Sequence, residues 1–317
     1  MQIDIPVRPV ARDKKLFCFG FGYTAAFLSA VLKSYGWSIG GTTTDPEKCE
    51  FLRNMGYDVI LFDHSHSIQA PAETFDGVTH VLLSIPPNDQ GDPAFTVYGH
   101  DIAAIPTLEW MAYLSTTGVY GNQNGAWVDE SAPPNPDSRR GSLRLKAEQQ
   151  WQSLYLQAGL PLHIFRLSGI YGPGRSAIDT VRTGQARRIE KKGHVFNRIH
   201  VADIVQAIIL SMNQPNAGAI YNLADDLPSP AHEVISYACA LVGIEPPPVI
   251  DFDQAELAPM VRSFYKDNKR VSNARIKQEL GIHLMYPDYK RGLQTCIHVT
   301  EDTKTFLNFE TKIQGNG

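Results

Sequence analysis

The sequence of 317 residues has 43% hydrophobic and 20% charged side chains and a formal net charge of −4. This composition excludes a disordered chain and gives no general attraction to nucleic acid or to an anionic membrane, so the expected partner is a small-molecule substrate. No apolar run approaches the roughly eighteen residues of a membrane span. The four widely spaced cysteines include no Cys-x-x-Cys pair, and we expect buried free thiols in a cytoplasmic protein.

Predicted strands and helices alternate along the first half of the chain. This order is typical of an α/β fold with a doubly wound, mostly parallel sheet of the Rossmann type, here followed by a smaller C-terminal substrate lobe. Apolar runs predict strands at 16–19, 36–42, 58–62, 80–85, 111–115 and 162–167, a returning strand at 219–223 and a helix over 48–55. We assign to the core residues 14–174 with a returning segment at about 195–224, to the lobe residues 175–194 and 225–300, and to a tail without clear pattern residues 301–317.

The stretch after the first predicted strand has the pattern of a dinucleotide-binding turn. Gly20 and Gly22 follow the apolar run, and Tyr23, Thr24 and Ala25 open a segment with apolar residues at helical spacing. Gly20 permits a sharp turn, and the missing side chain at Gly22 lets backbone N–H groups approach a pyrophosphate at the positive end of the helix. The small Ala25 lets helix and strand pack closely. An ordinary tight turn between a strand and a helix is the alternative.

The end of the second predicted strand indicates which ribose such a site would read. Thr43 and Thr44 offer hydroxyls there, and the first carboxylate, Asp45, comes only later. A carboxylate would bind the 2′-hydroxyl of NAD, whereas small polar or basic residues tolerate the 2′-phosphate of NADP. The hydroxyls give a mild preference for NADP over NAD, with Lys48 and Arg53 on the next helix as candidate phosphate ligands.

Five further motifs follow in a fixed order: Leu-Ser-Thr-Thr-Gly-Val-Tyr-Gly at 114–121, Val-Asp-Glu at 128–130, Arg-Leu-Ser-Gly-Ile-Tyr-Gly-Pro-Gly at 166–174, Arg-Ile-His-Val-Ala-Asp at 198–203 and Tyr-Asn at 221–222. With the glycine turn, they resemble the extended short-chain dehydrogenase/reductases, the group of NAD(P)-dependent epimerases and dehydratases, over roughly residues 15–295. The resemblance implies a Rossmann core whose cofactor lies across the carboxyl ends of the strands. It also implies an oxidoreductase or epimerase that acts on a small polar or nucleotide-linked substrate, with a homodimer as the default assembly. A catalytically inert NAD(P)-binding sensor or scaffold is the alternative.

The resemblance also assigns roles to single residues. Thr116 matches the family's catalytic serine or threonine, four residues before Tyr120, and would donate a hydrogen bond to the reacting substrate oxygen. Asp63 would touch the adenine, and Ser84 would lie near the pyrophosphate and ribose. His200 belongs to the family's His-Val-x-Asp segment, where a structural role and a catalytic one are equally open.

One departure from the family pattern affects the chemistry. The family carries Tyr-x-x-x-Lys on one helix, and counting back from the pair Ala147 and Glu148 places Arg144 at the lysine and Arg140 at the tyrosine. The spacing of four keeps both arginines on one helix face, but arginine stays charged and cannot act as a general acid or base. Arg144 could still bind the ribose or pyrophosphate of the cofactor. A solvated, charged helix face is the alternative.

Other reactive side chains offer a replacement proton carrier but no metal site. Tyr171, in the motif after the sixth predicted strand, is one candidate, and Tyr120 and His200 are the others. Packing is the commoner role for a tyrosine at the position of Tyr171. His64 and His66 alternate in a loop without a third ligand nearby, so we expect no metal there.

Overall fold

The computed structural model describes residues 5–9, 13–63, 65–299 and 301–314. The strands are β1 (Lys15–Phe19), β2 (Ser38–Thr43), β3 (Asp58–Leu61), β4 (His80–Leu83), β5 (Trp110–Thr116), β6 (Trp127–Val128), β7 (Leu162–Leu167), β8 (Gly169–Tyr171), β9 (Arg188–Glu190), β10 (Arg198–His200), β11 (Ile220–Leu223), β12 (Val249–Asp251) and β13 (Arg270–Val271). The helices are α1 (Tyr23–Ser34), α2 (Pro46–Asn54), α3 (Pro71–Thr74), α4 (Pro93–Ala103), α5 (Arg139–Ala158), α6 (Ala177–Arg182), α7 (Val201–Asn213), α8 (Ala231–Val242), α9 (Pro259–Phe264), α10 (Ala274–Glu279), α11 (Tyr289–Gln294) and α12 (Glu301–Gln314), with a 3-10 turn at Thr117–Tyr120.

Seven parallel strands form the central sheet, in the order β11-β7-β5-β4-β1-β2-β3. The chain runs outward from β1 in one direction through β2 and β3, and in the other through β4, β5, β7 and β11. The order therefore reverses between β1 and β4, and ligands of doubly wound folds bind at such a switch point. The predicted Rossmann-like fold is confirmed.

Strand β1 explains why helices cover both faces of the sheet. Leu16 and Cys18 pack with residues of α1, α2 and α7, whereas Phe17 and Phe19 pack with residues of α4 and α5. A strand that is buried on both faces needs an unbroken apolar run, and β1 has one. Only the edge formed by the carboxyl ends of the strands is then left for a ligand of this fold class.

Several element boundaries differ from the predicted ones for local reasons. Strand β2 begins at Ser38 because Gly36, with a φ of +85°, still belongs to the preceding turn. Helix α2 begins earlier than predicted, at Pro46, because the Asp45 carboxylate caps it by accepting a hydrogen bond from Lys48 N at 3.0 Å. The sixth strand has the predicted bounds, and the returning strand is β11, which pairs with β7 at the sheet edge.

Short paired strands and a separate apolar cluster lie outside the main sheet. Strand β8 pairs with β10, and β9 pairs with β12. Buried side chains of α6, α8 and α11 form the cluster, among them Ile178, Val234 and Leu293. The residue ranges given above for core and lobe stay a prediction.

The tail is more regular than the sequence indicates. Residues 301–314 form α12, which corrects the expectation of a segment without a pattern, while residues 315–317 lie outside the described part. Thr303 and Phe306 are buried three residues apart, so they lie on one face of the helix, and Phe306 joins the apolar cluster of α1 and α2. None of the helices in the described residues is long and apolar enough to pass through a membrane.

Candidate functional site

The turn between β1 and α1 has a backbone that only glycine fits well. Gly20 has a φ of +85°, and a Cβ there would lie 3.1 Å from both Ile85 N and Ser84 Oγ. Gly20 N donates a hydrogen bond to Thr42 Oγ1 at 2.9 Å. The hydroxyl of Thr42 therefore fixes the turn, a role that the sequence analysis missed although Thr42 belongs to the threonine run that ends β2.

The N-terminus of α1 is free of the groups that usually neutralise a helix end. Gly22 is the N-cap residue, no side chain of the described residues caps the helix, and its first turn contains no acidic residue. The first intrahelical hydrogen bond runs from Ala26 N to Gly22 O at 2.9 Å, so the N–H groups of Tyr23, Thr24 and Ala25 have no partner inside the helix. Such amides, at the positive end of the helix dipole, suit a pyrophosphate.

Ser84 joins the two strands at the switch point. Its hydroxyl donates to Gly20 O at 2.6 Å and lies 3.2 Å from Phe19 O. Ser84 therefore holds the end of β4 against the glycine turn. Its predicted contact with the cofactor would place it beside the same phosphate-binding amides.

Tyr23 brings the loop after β8 to the glycine turn. Its hydroxyl donates to Pro173 O at 3.0 Å, and the guanidinium carbon of Arg175 lies 5.5 Å from the centre of its ring. Arg175 thus stands beside the predicted phosphate site, and no sequence signal singles it out. It follows directly after the 166–174 motif, which is the only feature that could have drawn attention to it.

The ribose end of the site offers hydroxyls, while its cations are engaged elsewhere. Thr44 is exposed, and Thr43 Oγ1 accepts a hydrogen bond from Asp45 N at 3.3 Å. Arg53 Nε donates to the Val59 carbonyl at 2.7 Å. The ammonium of Lys48, a residue only 2% exposed, lies 4.6 Å from the centre of the Phe306 ring. The preference for NADP therefore loses the support of its two candidate phosphate ligands.

Asp63 directs its carboxylate into its own loop. Oδ1 accepts hydrogen bonds from Ser65 N at 2.6 Å and from His66 N and Nδ1 at 2.9 Å, and these bonds, that of Ser65 foremost, lower the pKa of Asp63. A cavity of about 430 Å³ adjoins this loop along the edge strand β3, away from the glycine turn. The contact of Asp63 with adenine stays a prediction. Among the described residues, which do not include His64, no three side chains could together hold a metal ion.

Thr116 ends β5 at the carboxyl edge of the sheet. Its Oγ1 accepts a hydrogen bond from Gly118 N at 3.1 Å and thereby caps the short 3-10 turn that follows. An accepting contact leaves the hydroxyl hydrogen to donate to a substrate oxygen. The side chain is half-buried, as that role requires.

The two arginines of α5 occupy different surroundings. Arg144 Nη1 donates to Tyr113 Oη at 3.1 Å and to Leu114 O at 2.8 Å, so its guanidinium is held on β5. Arg140 is exposed, and its guanidinium carbon lies 5.8 Å from the ring centre of Phe264 on α9. This face of α5 therefore lies between the end of β5 and the helix α9, and Arg140 spans the gap.

Tyr171 and His200 pack against each other and are engaged within the protein. The Tyr171 hydroxyl donates to Asp288 O at 3.3 Å, and its ring meets the His200 ring edge-on at 5.1 Å. His200 Nδ1 accepts from Ala202 N at 3.1 Å, which caps α7, and Nε2 lies 3.1 Å from Thr295 Oγ1. Burial raises the pKa of Tyr171 well above its usual range and lowers the pKa of His200 to about 3. These contacts favour structural roles for both over proton transfer.

A buried ion pair lies beneath the same helix. Arg166 at the end of β7 donates from Nη2 and Nε to the two carboxylate oxygens of Glu148 on α5, at 2.8 and 3.1 Å. Ser115 Oγ adds a third hydrogen bond to Glu148 at 2.5 Å. The Glu148 of the predicted Ala-Glu pair therefore fixes α5 to the sheet and with it the two arginines above.

Comparison with known proteins settles the family. The model described as "NAD dependent epimerase/dehydratase family" matches residues 22–224, which is more than half of the chain. The chain belongs to the NAD-dependent epimerase/dehydratase family. The match includes Thr116 and the helix of Arg140, but it leaves the consequence of the missing tyrosine untested.

Relatives of this family member span nearly its whole length. A conserved protein of unknown function from Silicibacter pomeroyi DSS has a solved structure with 48% sequence identity and a TM-score of 0.81, covering 89% of this chain and 97% of that one. Protein YeeZ of Escherichia coli (strain K12) is 27% identical over 87% of this chain and 97% of its own length. The UDP-glucuronic acid 4-epimerase of Bacillus cereus, solved in complex with NAD, has a TM-score of 0.70 at 16% identity, over 89% of this chain and 97% of that chain, and shares the fold.

Polar atoms at the ends of β7 and β11 form a feature that the sequence analysis missed in this family member. Ser168 Oγ, Asn222 Nδ2 and Asp225 Oδ2 are buried and have no hydrogen-bond partner among the described residues. Buried polar atoms without partners are rare and call for an explanation. Their place at the carboxyl edge of the sheet makes them candidate substrate contacts. Ser168 and Asn222 lie inside quoted motifs, but nothing in the sequence marks Asp225.

Asp225 gives the protein a testable pH dependence. Burial raises its pKa from the ordinary 3.8 to about 8, and nearby Arg198 opposes the shift. Between these values the folded protein keeps a proton that the unfolded chain releases, so this group's contribution to stability falls as the pH rises through the window and is lost above about 8. We expect Asp225→Asn to be more stable than the wild type at pH 9 and about equal to it at pH 4, as measured by urea unfolding. The exposed neighbour variant Asp226→Asn is the control, and an Asp225→Asn protein less stable than wild type at pH 9 would contradict the expectation.

Proposed function

We propose that this family member binds NAD and uses it in a redox reaction of the oxidoreductase or epimerase/dehydratase type on a small polar or nucleotide-linked substrate. The observation that carries the proposal is the uncapped N-terminus of α1 beside Gly20, at the point where the strand order reverses. The related fold of the Bacillus cereus epimerase, solved with NAD, supports the same cofactor. Assembly as a homodimer stays a prediction.

The glycine turn fits the cofactor because it is a cradle that a side chain would fill. The amides of Tyr23, Thr24 and Ala25 would hold the pyrophosphate, with Ser84 beside them and Thr43 at the ribose. Bound NAD supplies a hydride acceptor at the nicotinamide. The protein's own task is then to orient the substrate and exclude water.

Substrate orientation falls to Thr116 and Arg140. The Thr116 hydroxyl would donate to the substrate oxygen whose carbon exchanges hydride. Arg140, which spans the gap between α5 and α9, can bind a carboxylate or phosphate in a bidentate fork but cannot move a proton. An anionic group on the substrate is therefore the expected recognition element.

A titration followed by a redox assay tests the proposal. Calorimetry with NAD should register saturable binding, and incubation of the complex with nucleotide sugars and hydroxy acids should produce the fluorescence of reduced nicotinamide with at least one of them. Absence of any heat with oxidised and reduced nucleotides would overturn the proposal. Binding without a redox change would favour the second candidate below.

Replacement of Thr116 separates chemistry from cofactor binding. Thr116→Val removes the hydroxyl, and we expect turnover to fall by about a hundredfold or more with unchanged NAD affinity, because only the substrate oxygen loses a donor. Thr116→Ser keeps both the hydroxyl and the cap of the 3-10 turn, so it should retain most of the activity. Equal turnover in Thr116→Val and the wild type, in a steady-state assay, would remove Thr116 from the mechanism.

A second candidate function is an NAD-binding sensor or scaffold without turnover. It is favoured by Arg140 in the tyrosine's place and by the internal contacts of Tyr171 and His200, which leave the predicted proton carriers engaged. Tight NAD binding with no redox change across the substrate panel would support it. Hydride exchange with any substrate would exclude it.

A further inference from the structure

Helix α12 packs across the ribose end of the proposed cofactor site. Phe306 is fully buried, and its ring faces the Lys48 ammonium at 4.6 Å. The ring of Phe309, one turn later, lies 5.4 Å from that of Phe51 on α2. The helix therefore contacts α2 through two aromatic side chains, of which only Phe306 has a recorded contact with the lysine.

The other side of α12 reaches the loop beside the glycine turn. A Cβ at Gly174 would lie 2.0 Å from Leu307 Cδ1, so Leu307 occupies the space next to that glycine. The adjoining Pro173 accepts the hydrogen bond of Tyr23, the first residue of α1. Helix α12 thus spans from the first turn of α2 to the loop that touches the predicted phosphate site.

Lys48 stands where a cation could decide between the two coenzymes. Dinucleotide sites read the ribose at the end of the second strand, here Thr43 and Thr44, and α2 follows directly. Lys48 lies in the first turn of α2, and its backbone N–H already binds the capping carboxylate of Asp45. A 2′-phosphate placed there needs a cation to offset its charge and that of Asp45. A 2′-hydroxyl does not.

The Phe306 ring holds that cation away from a phosphate. An ammonium over an aromatic face is stabilised by the ring, and more strongly when both are buried. To bind a 2′-phosphate, the ammonium would have to leave the ring and α12 would have to shift. Arg53, the other candidate ligand on α2, is bound to the Val59 carbonyl.

We propose that Phe306 sets the coenzyme preference of the site, favouring NAD over NADP by covering Lys48. The inference rests on the proposed function, since it concerns the adenosine end of the same cofactor site. Phe306 is a specificity determinant from the C-terminal helix, far in sequence from the glycine turn and outside the matched family region of 22–224.

Calorimetric titration of the full chain with NAD and with NADP tests the inference through the ratio of the two dissociation constants. The wild type should bind NAD more tightly. Phe306→Ala should raise the affinity for NADP relative to NAD by about tenfold, because the ammonium is released toward the phosphate. Phe306→Ala combined with Lys48→Met should return the ratio toward the wild-type value.

Phe309→Ala is the matched control, because it removes an aromatic contact of the same helix with α2 but leaves the ring over Lys48. Its ratio should stay at the wild-type value. If Phe306→Ala does not fold, Phe306→Leu keeps the apolar volume without the aromatic face and should shift the ratio in the same direction. A ratio unchanged in the folded Phe306 variant, or equally changed in Phe309→Ala, would overturn the inference.

The wild-type titration separates this inference from the function on which it rests. Tighter binding of NADP than of NAD by the wild type would overturn the role of Phe306 while leaving dinucleotide binding intact. Failure to bind either nucleotide would instead overturn the proposed function.

Discussion

Glu148→Ala should lower the free energy of unfolding by about 3–5 kcal/mol, because it leaves the Arg166 guanidinium buried without its counter-charge. The side chains of Arg166 and Glu148 are 3% and 1% exposed, and two hydrogen bonds join them. Ser115 would also lose its acceptor. Urea unfolding followed by circular dichroism measures the loss.

The pair of Arg139 and Asp89 is the matched control for this ion pair. Its side chains are 76% and 71% exposed, so Asp89→Ala should change the unfolding free energy by about 1 kcal/mol or less. A loss for Glu148→Ala as small as that of the surface variant would show that the buried pair does not hold α5 to the sheet.

Gly20→Ala should reduce the affinity for NAD about ten- to hundredfold, which corresponds to the loss of one hydrogen bond to a charged phosphate, or about 1.5–3 kcal/mol. The new methyl group would lie 3.1 Å from Ile85 N and Ser84 Oγ, and the φ of +85° strains any residue with a side chain. The amides that follow would be displaced from the pyrophosphate. Calorimetric titration with NAD measures the change.

Gly184→Ala controls for the backbone strain alone. Gly184 has a φ of +69°, and a Cβ there meets nothing within 4 Å, so the substitution strains the chain without touching the site. Both variants should lose similar stability in urea unfolding, but only Gly20→Ala should lose NAD affinity. Equal NAD affinity in the two variants would argue against phosphate binding at the turn.

Sheet architecture is predictable from this sequence because burial on both faces leaves a direct trace. The run of Leu16 to Phe19 is apolar without interruption, and the strand at 162–167 has the bounds the structure shows. Helix α12 is different. Its buried positions are Thr303 and Phe306 among polar neighbours, so the helix depends on packing against α2, which no local pattern reveals.

The candidate site divides in the same way. Local geometry carries the glycine turn, so Gly20 and the helix start after it follow from the sequence. Side-chain partners that come from distant segments do not. His200 bonds to Thr295, and Lys48 meets Phe306, and in both cases a plausible chemical role changes once the distant partner is known.

The hydrogen bond from Tyr23 to Pro173 has a thermodynamic consequence. It ties the first residue of α1 to the loop that leads from β8 into the C-terminal elements, across 150 positions of the chain. A ligand that moves that loop must also strain or relax the start of α1, where the dinucleotide would sit. Occupancy at either end would then alter the affinity at the other by the same factor, as reciprocity between linked binding equilibria demands.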